Sequence, residues 1–189
     1  MNDAALQALL RGAEAAADVA GAVIRPFFRA GVTSDLKSDA SPVTIADRTA
    51  EQAMRAVLSE RFPGHGILGE EFGLQNPGSE LRWVLDPIDG TRAFITGRPS
   101  FGTLIALMDG AVPIIGIIDQ PITGERWVGE RGMATRFRGP FGGTAGTRRC
   151  PAIGQAELGA TTPDMFVGAD ARIGWEPHLR LAGLVGVAF

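Results

Sequence analysis

The chain has 189 residues, 45% hydrophobic and 21% charged, with a net charge of −3. That length holds one sizeable core, or one domain and part of another. The charge gives no general attraction to nucleic acid or anionic lipid, no run reaches the roughly 18 to 20 apolar residues of a membrane span, and a single cysteine, Cys150, rules out an internal disulfide.

The first predicted element is a long amphipathic helix from Asp3 to about Arg29. Leu6, Leu9, Leu10, Ala13, Ala16, Ala17, Ala20, Val23, Ile24 and Phe27 recur near helical spacing. Its alanines suit close packing, Pro26 kinks its last turn, and Gly31 is its stop. Glu14 and Asp18 interrupt the alanine-rich run, so it does not read as a signal peptide, and a cytoplasmic protein is expected. Val32 to Lys37 reads as a short strand, and Ser38 to Pro42 as a polar loop. Thr44 then caps a second helix, Ile45 to Arg61, with Asp47 at the third position of a capping box. Ile45, Ala46, Ala50, Ala53, Val57 and Leu58 form its apolar stripe.

Gly66 to Glu71 (GILGEE) reads as a strand ending in two carboxylates that face opposite ways. Leu74 to Leu81 reads as a polar loop. Trp83-Val84-Leu85 is an apolar strand, and Asp86 sits where it ends, because Pro87 has no N–H to continue a ladder. Asp89 follows across that turn, and Gly90-Thr91 lead into a short helix, Arg92 to Ile95. Amides at a helix start, beside a glycine that permits close approach, suit a phosphate.

Phe101 to Met108 and Val112 to Asp119 flank Asp109-Gly110 as a hairpin. Glu125 to Glu130 and Met133 to Phe137 continue the meander. These apolar runs imply a sheet covered on both faces, and helices followed by strands argue α+β. Phe141 to Thr147 reads as a Gly-rich loop, and Arg138, Arg148 and Arg149 as a solvated basic patch.

Asp47, Glu70, Glu71, Asp86 and Asp89 close strands or open helices. An all-oxygen set suits Mg²⁺, whereas His65, His178 and Cys150 form no zinc pattern. Cation ligands beside an anion cradle point to metal-assisted phosphate chemistry. Thr91 would help orient a water whose proton a carboxylate such as Asp47 accepts. There is no Walker loop or GxGxxG to favour a nucleotide-binding module.

Three blocks in order, KSDASPVTIAD (37–47), GEE (69–71) and WVLDPIDGT (83–91), resemble the inositol monophosphatase family of lithium-sensitive, Mg²⁺-dependent sugar and alcohol phosphatases. RAFITGRPSFGTLIAL (92–107) looks most like its histidinol-phosphate phosphatase branch. The resemblance implies a layered α/β/α/β sandwich, and full-length relatives that form homodimers. It implies that Glu70, Asp86, Asp89 and the Ile88 carbonyl hold metal. It further implies that Asp47 and Thr91 activate water, Gly90 and Thr91 amides hold phosphate with Asp89 alongside, and Lys37 and Glu71 stand behind the site. Residues 1–150 would form the N-terminal metal-phosphatase domain, and 151–189 the start of an incomplete α/β domain. The family's later Trp-Asp metal motif is not found, since Trp175 is followed by Glu176-Pro177, and similarity fades after Phe166. We therefore expect a chain truncated or out of frame beyond about Val167, with a weakened second metal site. The expected activity is hydrolysis of a small phosphate monoester, histidinol phosphate of histidine biosynthesis first and inositol phosphate next. A metal-binding remnant without turnover is the alternative from another class.

Overall fold

The structure is a computed structural model that describes residues 2–31, 34–36 and 42–142. Helix α1 (Asp3–Ile24) is capped by the Asn2 side chain, which accepts the Ala5 N–H at 2.8 Å. The helix stops at Ile24, short of the expected Arg29. Pro26 instead sits in a 3-10 turn, Arg25–Phe27, where its missing N–H is tolerated. Strands β1 (Ser34–Leu36) and β2 (Pro42–Thr44) pair antiparallel, so Pro42 belongs to a strand rather than to the expected loop.

Helix α2 (Ile45–Arg61) has the expected bounds and capping box. Its buried stripe differs from expectation. Ile45 is 54% exposed, whereas Glu51 and Met54 are fully buried. Ala13, Ala16, Ala17 and Ala20 of α1 are fully buried, and α1 packs on α2. Small side chains there let the two helices lie close over one face of the sheet.

That sheet has seven strands: β3 (Gly66–Gly69), β4 (Gly73–Gln75), β5 (Leu81–Asp89), β6 (Gly102–Asp109), β7 (Val112–Gln120), β8 (Glu125–Glu130) and β9 (Arg136–Arg138). The spatial order is β4-β3-β5-β6-β7-β8-β9. All pairs are antiparallel except β3 with β5, which is parallel. Strand β4 falls in the stretch read as a polar loop, and β9 is shorter than Met133 to Phe137 implied. The hairpin of β6 and β7 turns at Gly110, with Asp109 opposite Val112.

Trp83, Leu85, Ile105, Leu107, Ile115, Ile117 and Val128 face the helix pair in one core. Val84, Ala106 and Met108 form a smaller cluster of their own. Successive residues of β6 from Gly102 to Met108 are buried, as the apolar run implied. Among the described residues, no helix is long and apolar enough to cross a membrane.

One ion network, buried at Arg126 and Asp119 and exposed at Asp18, ties helix to sheet. Arg126 of β8 donates Nε to Asp119 of β7 and Nη2 to Asp18 of α1 at 2.8 Å. Burial pushes the Asp119 carboxyl up, and the hydrogen bond and charge of Arg126 pull it back. Removing the cation alone leaves that carboxylate uncompensated. Arg126→Met is expected to lower the unfolding free energy by about 3 to 5 kcal/mol in urea denaturation. Adding Asp119→Asn should recover part of that loss.

Candidate active site

The parallel pairing of β3 and β5 assembles the site. Gly69 lies opposite Leu85, and the Glu70 N–H donates to the Leu85 carbonyl at 3.2 Å. Both strands run the same way, so the residues that follow this pair, Glu70 and Asp86, stand side by side. Strand β3 ends at Gly69, earlier than expected, and Glu70, Glu71 and Phe72 form the turn to β4.

Asp86 does not end its strand. Strand β5 continues through Asp86-Pro87-Ile88-Asp89 with a shift of register between Asp86 and Asp89. Asp86 is opposite Leu104 and Asp89 opposite Gly102, so β5 carries one extra residue there. Such a bulge accommodates Pro87, which has no N–H for a ladder. The Thr103 hydroxyl donates to the Pro87 carbonyl at 2.8 Å and fixes the bulge. The Ile88 side chain is buried in the core, and its carbonyl accepts the Thr91 hydroxyl at 3.2 Å. A carbonyl has two lone pairs, so this bond leaves capacity for a second partner.

Helix α3 (Thr91–Ile95) follows, with Gly90 as its N-cap at φ +94°. That φ favours glycine, and a Cβ there would meet Phe101 and the Ser100 carbonyl at 3.3 Å. The first amides of a helix have no partner inside it, which places Gly90 and Thr91 at an anion-accepting end. Asp47 arrives from α2. Its Oδ2 accepts the Thr44 N–H at 2.8 Å and the Thr44 hydroxyl, so the capping box holds it in place.

The electrostatics identify the centre. Asp86 is 1% exposed, and its carboxyl is held well above the ordinary value. Burial is the main cause, followed by the charges of Glu70 and Asp89, a hydrogen bond with Glu70, and the charge of Asp47. Burial also pushes Asp47 up, opposed by its bonds to Thr44 and reinforced by Glu70. Like carboxylates share a site only if protons or a cation neutralise them. Among the described residues, no group of three or more His, Cys, Asp or Glu is drawn together tightly enough to count as a ready metal cage. The donor chemistry nevertheless fits a hard divalent cation: acidic oxygens bearing on one buried carboxylate, with a backbone carbonyl beside them.

Of the expected residues, the fold brings Glu70, Asp89 and Asp47 within electrostatic reach of Asp86, and the chain places Ile88, Gly90 and Thr91 beside them. Glu71 stands next in the turn, and its N–H bonds to Glu51. Lys37 lies outside the described residues, as do Cys150, Arg148, Arg149 and the expected 151–189 unit.

Sequence reasoning missed two supports. Glu51 is fully buried and accepts the amide behind Glu70, although its spacing of four from Asp47 placed both on one helix face. Gln120 is also fully buried. It donates to the Pro99 and Phe101 carbonyls at 2.7 and 2.9 Å and accepts the Ile122 and Thr123 amides. It thereby fixes the segment packed behind Gly90. No local signal marks Gln120 for this role, because the carbonyls it donates to lie 21 and 19 residues earlier in the chain.

The fold is a helix pair over a mixed sheet, with an acidic oxygen cluster where β3 ends beside β5 and a helix start next to it. The chain belongs to the inositol monophosphatase family, whose model matches residues 5–163. It is 46% identical over 168 residues to the bifunctional phosphatase IMPL2, chloroplastic, of Arabidopsis thaliana, covering 88% of this chain and 48% of that protein. It is 35% identical over 181 residues to a histidinol-phosphatase of Streptomyces coelicolor, covering 93% of this chain and 65% of that protein. An inositol monophosphatase structure from Zymomonas mobilis matches with 54% identity and a TM-score of 0.62, over 80% of this chain and 56% of that one. The chain spans about half the length of the curated relatives it matches.

The Asp86 shift predicts a pH effect. A carboxyl raised in the fold contributes stability below its ordinary value, 3.8, and loses that contribution as pH rises through the folded value. Asp86→Asn is therefore expected to be more stable than the parent in metal-free buffer. Its melting-temperature advantage should grow as pH rises above about 4. A flat difference across that range would contradict the assignment of Asp86 as the strained centre.

Proposed function

We propose that this chain carries the catalytic centre of a Mg²⁺-dependent phosphomonoesterase acting on a small alcohol phosphate. The observation that carries the reading is Asp86, buried and repelled by Glu70, Asp89 and Asp47 at once. Glu70, Asp86, Asp89 and the Ile88 carbonyl would hold the cation. When bound, Mg²⁺ neutralises phosphate charge, polarises the leaving oxygen and makes water more acidic.

The chain's own groups supply positioning. The Gly90 and Thr91 amides bind phosphate oxygens at the start of α3. The Thr91 hydroxyl, bonded to Ile88, orients the attacking water. Asp47 takes the proton. Its Oδ2 is committed to Thr44, so Oδ1 is the acceptor. Burial raises the Asp47 carboxyl above its ordinary value, a direction that makes it a stronger base.

Histidinol phosphate is the favoured substrate, supported by the histidinol-phosphatases at 35 to 46% identity. Inositol phosphate is the second reading, supported by the Zymomonas mobilis structure and by a Mesembryanthemum crystallinum inositol monophosphatase at 33%. We also propose residues 1–150 as the metal-phosphatase unit.

The test is Mg²⁺-dependent phosphate release by the 189-residue chain, with both substrates side by side. Faster release from histidinol phosphate is expected, falling at least about 100-fold in Asp89→Asn, and in EDTA. Mg²⁺ binding without release would leave a metal-binding remnant in place of an enzyme.

A further inference from the structure

Glu51 is a buried carboxylate that the chemistry above does not use. It lies four residues beyond Asp47 on α2, on the same inward face. Its Oε2 accepts the Glu71 N–H at 2.7 Å, and its Oε1 accepts the Phe72 N–H at 3.3 Å. Arg55 Nε donates to Oε1 at 2.7 Å. The same guanidinium reaches the Gly73 carbonyl and, at 3.3 Å, Gln75 Oε1. One helix face thus grips the whole turn between β3 and β4.

Two observations separate this from an ordinary helix ion pair, which is exposed and contributes little. Glu51 is fully buried, and the chain is shaped to admit it. A Cβ at Gly69 would fall 1.9 Å from Glu51 Oε1, so any larger residue there must push the Glu51 carboxylate out of its place. The turn also has little apolar packing to hold it, since Phe72 and Leu74 are each 45% exposed. Polar bonds from α2 therefore set its place.

We infer that Glu51 is a positioning residue that holds the 70–72 turn so that Glu70 stays beside Asp86, and that it thereby sets the chain's affinity for a divalent cation. This rests on the cation reading proposed above. Groups that orient metal ligands in this way change metal affinity by roughly 10- to 100-fold when removed.

The test titrates Mg²⁺ calorimetrically into the 189-residue chain and follows hydrogen exchange of the Glu71 amide. Glu51→Ala and Gly69→Ala disturb the same contact from opposite sides. Both are expected to weaken Mg²⁺ binding about tenfold or more and to speed exchange at Glu71, with Glu51→Gln intermediate. Leu58→Val trims the core on the same helix face and should lower the melting temperature without moving either readout. If Glu51→Ala does not fold, Glu51→Gln and Gly69→Ala decide. Parent-like Mg²⁺ affinity in both folded variants would overturn the inference. A parent chain that binds no Mg²⁺ would refute the proposed function first and the inference with it, and the silent parent tells the two failures apart.

Discussion

Like charges held together inside a protein are the constraint on which this architecture turns. Asp86 is buried, and three other carboxylates bear on it. Left to electrostatics, such a group would disperse or take up protons. The surrounding structure prevents dispersal by fixing the four acids on three supports. Asp86 and Asp89 sit on strand β5, Glu70 on a turn gripped by α2, and Asp47 in a capping box. Function here is bought with local stability, as is usual at sites built for charge.

The supports share a logic. Each polar anchor reaches from one element to the backbone of another. Thr103 of β6 holds the bulge in β5, Gln120 of β7 holds the loop behind Gly90, and Glu51 of α2 holds the turn after β3. Backbone carbonyls and amides are fixed targets, so such bonds place a site more accurately than side-chain pairs do. Each anchor is buried, where an unmade bond would be expensive, which makes the arrangement cooperative.

The α1 and α2 pair serves both stability and the site. The alanines of α1 allow close helix packing, and Arg126 ties α1 to the sheet through Asp18 and Asp119. With the pair seated, the N-terminal end of α2 delivers Asp47, and the next turn delivers Glu51. A helix seated elsewhere would lose both.

The local features were readable in the chain before it folded. Helical spacing located α1 and α2, Thr44 and Asp47 announced their capping box, and Asp109-Gly110 marked the hairpin. The acids Asp47, Glu70, Asp86 and Asp89 were legible because two lie in one short motif and the others at element ends. These signals survive because they depend on neighbours within a few residues. The parallel pairing of β3 with β5, the passage of β5 through Pro87, and the exposure of Ile45 follow from packing alone. The roles of Glu51 and Gln120 came from the same source. Glu51 on an amphipathic helix reads as a surface charge until a strand end 20 residues away presents an amide to it. Burial and long-range partners are properties of the packed chain, and no window of sequence contains them.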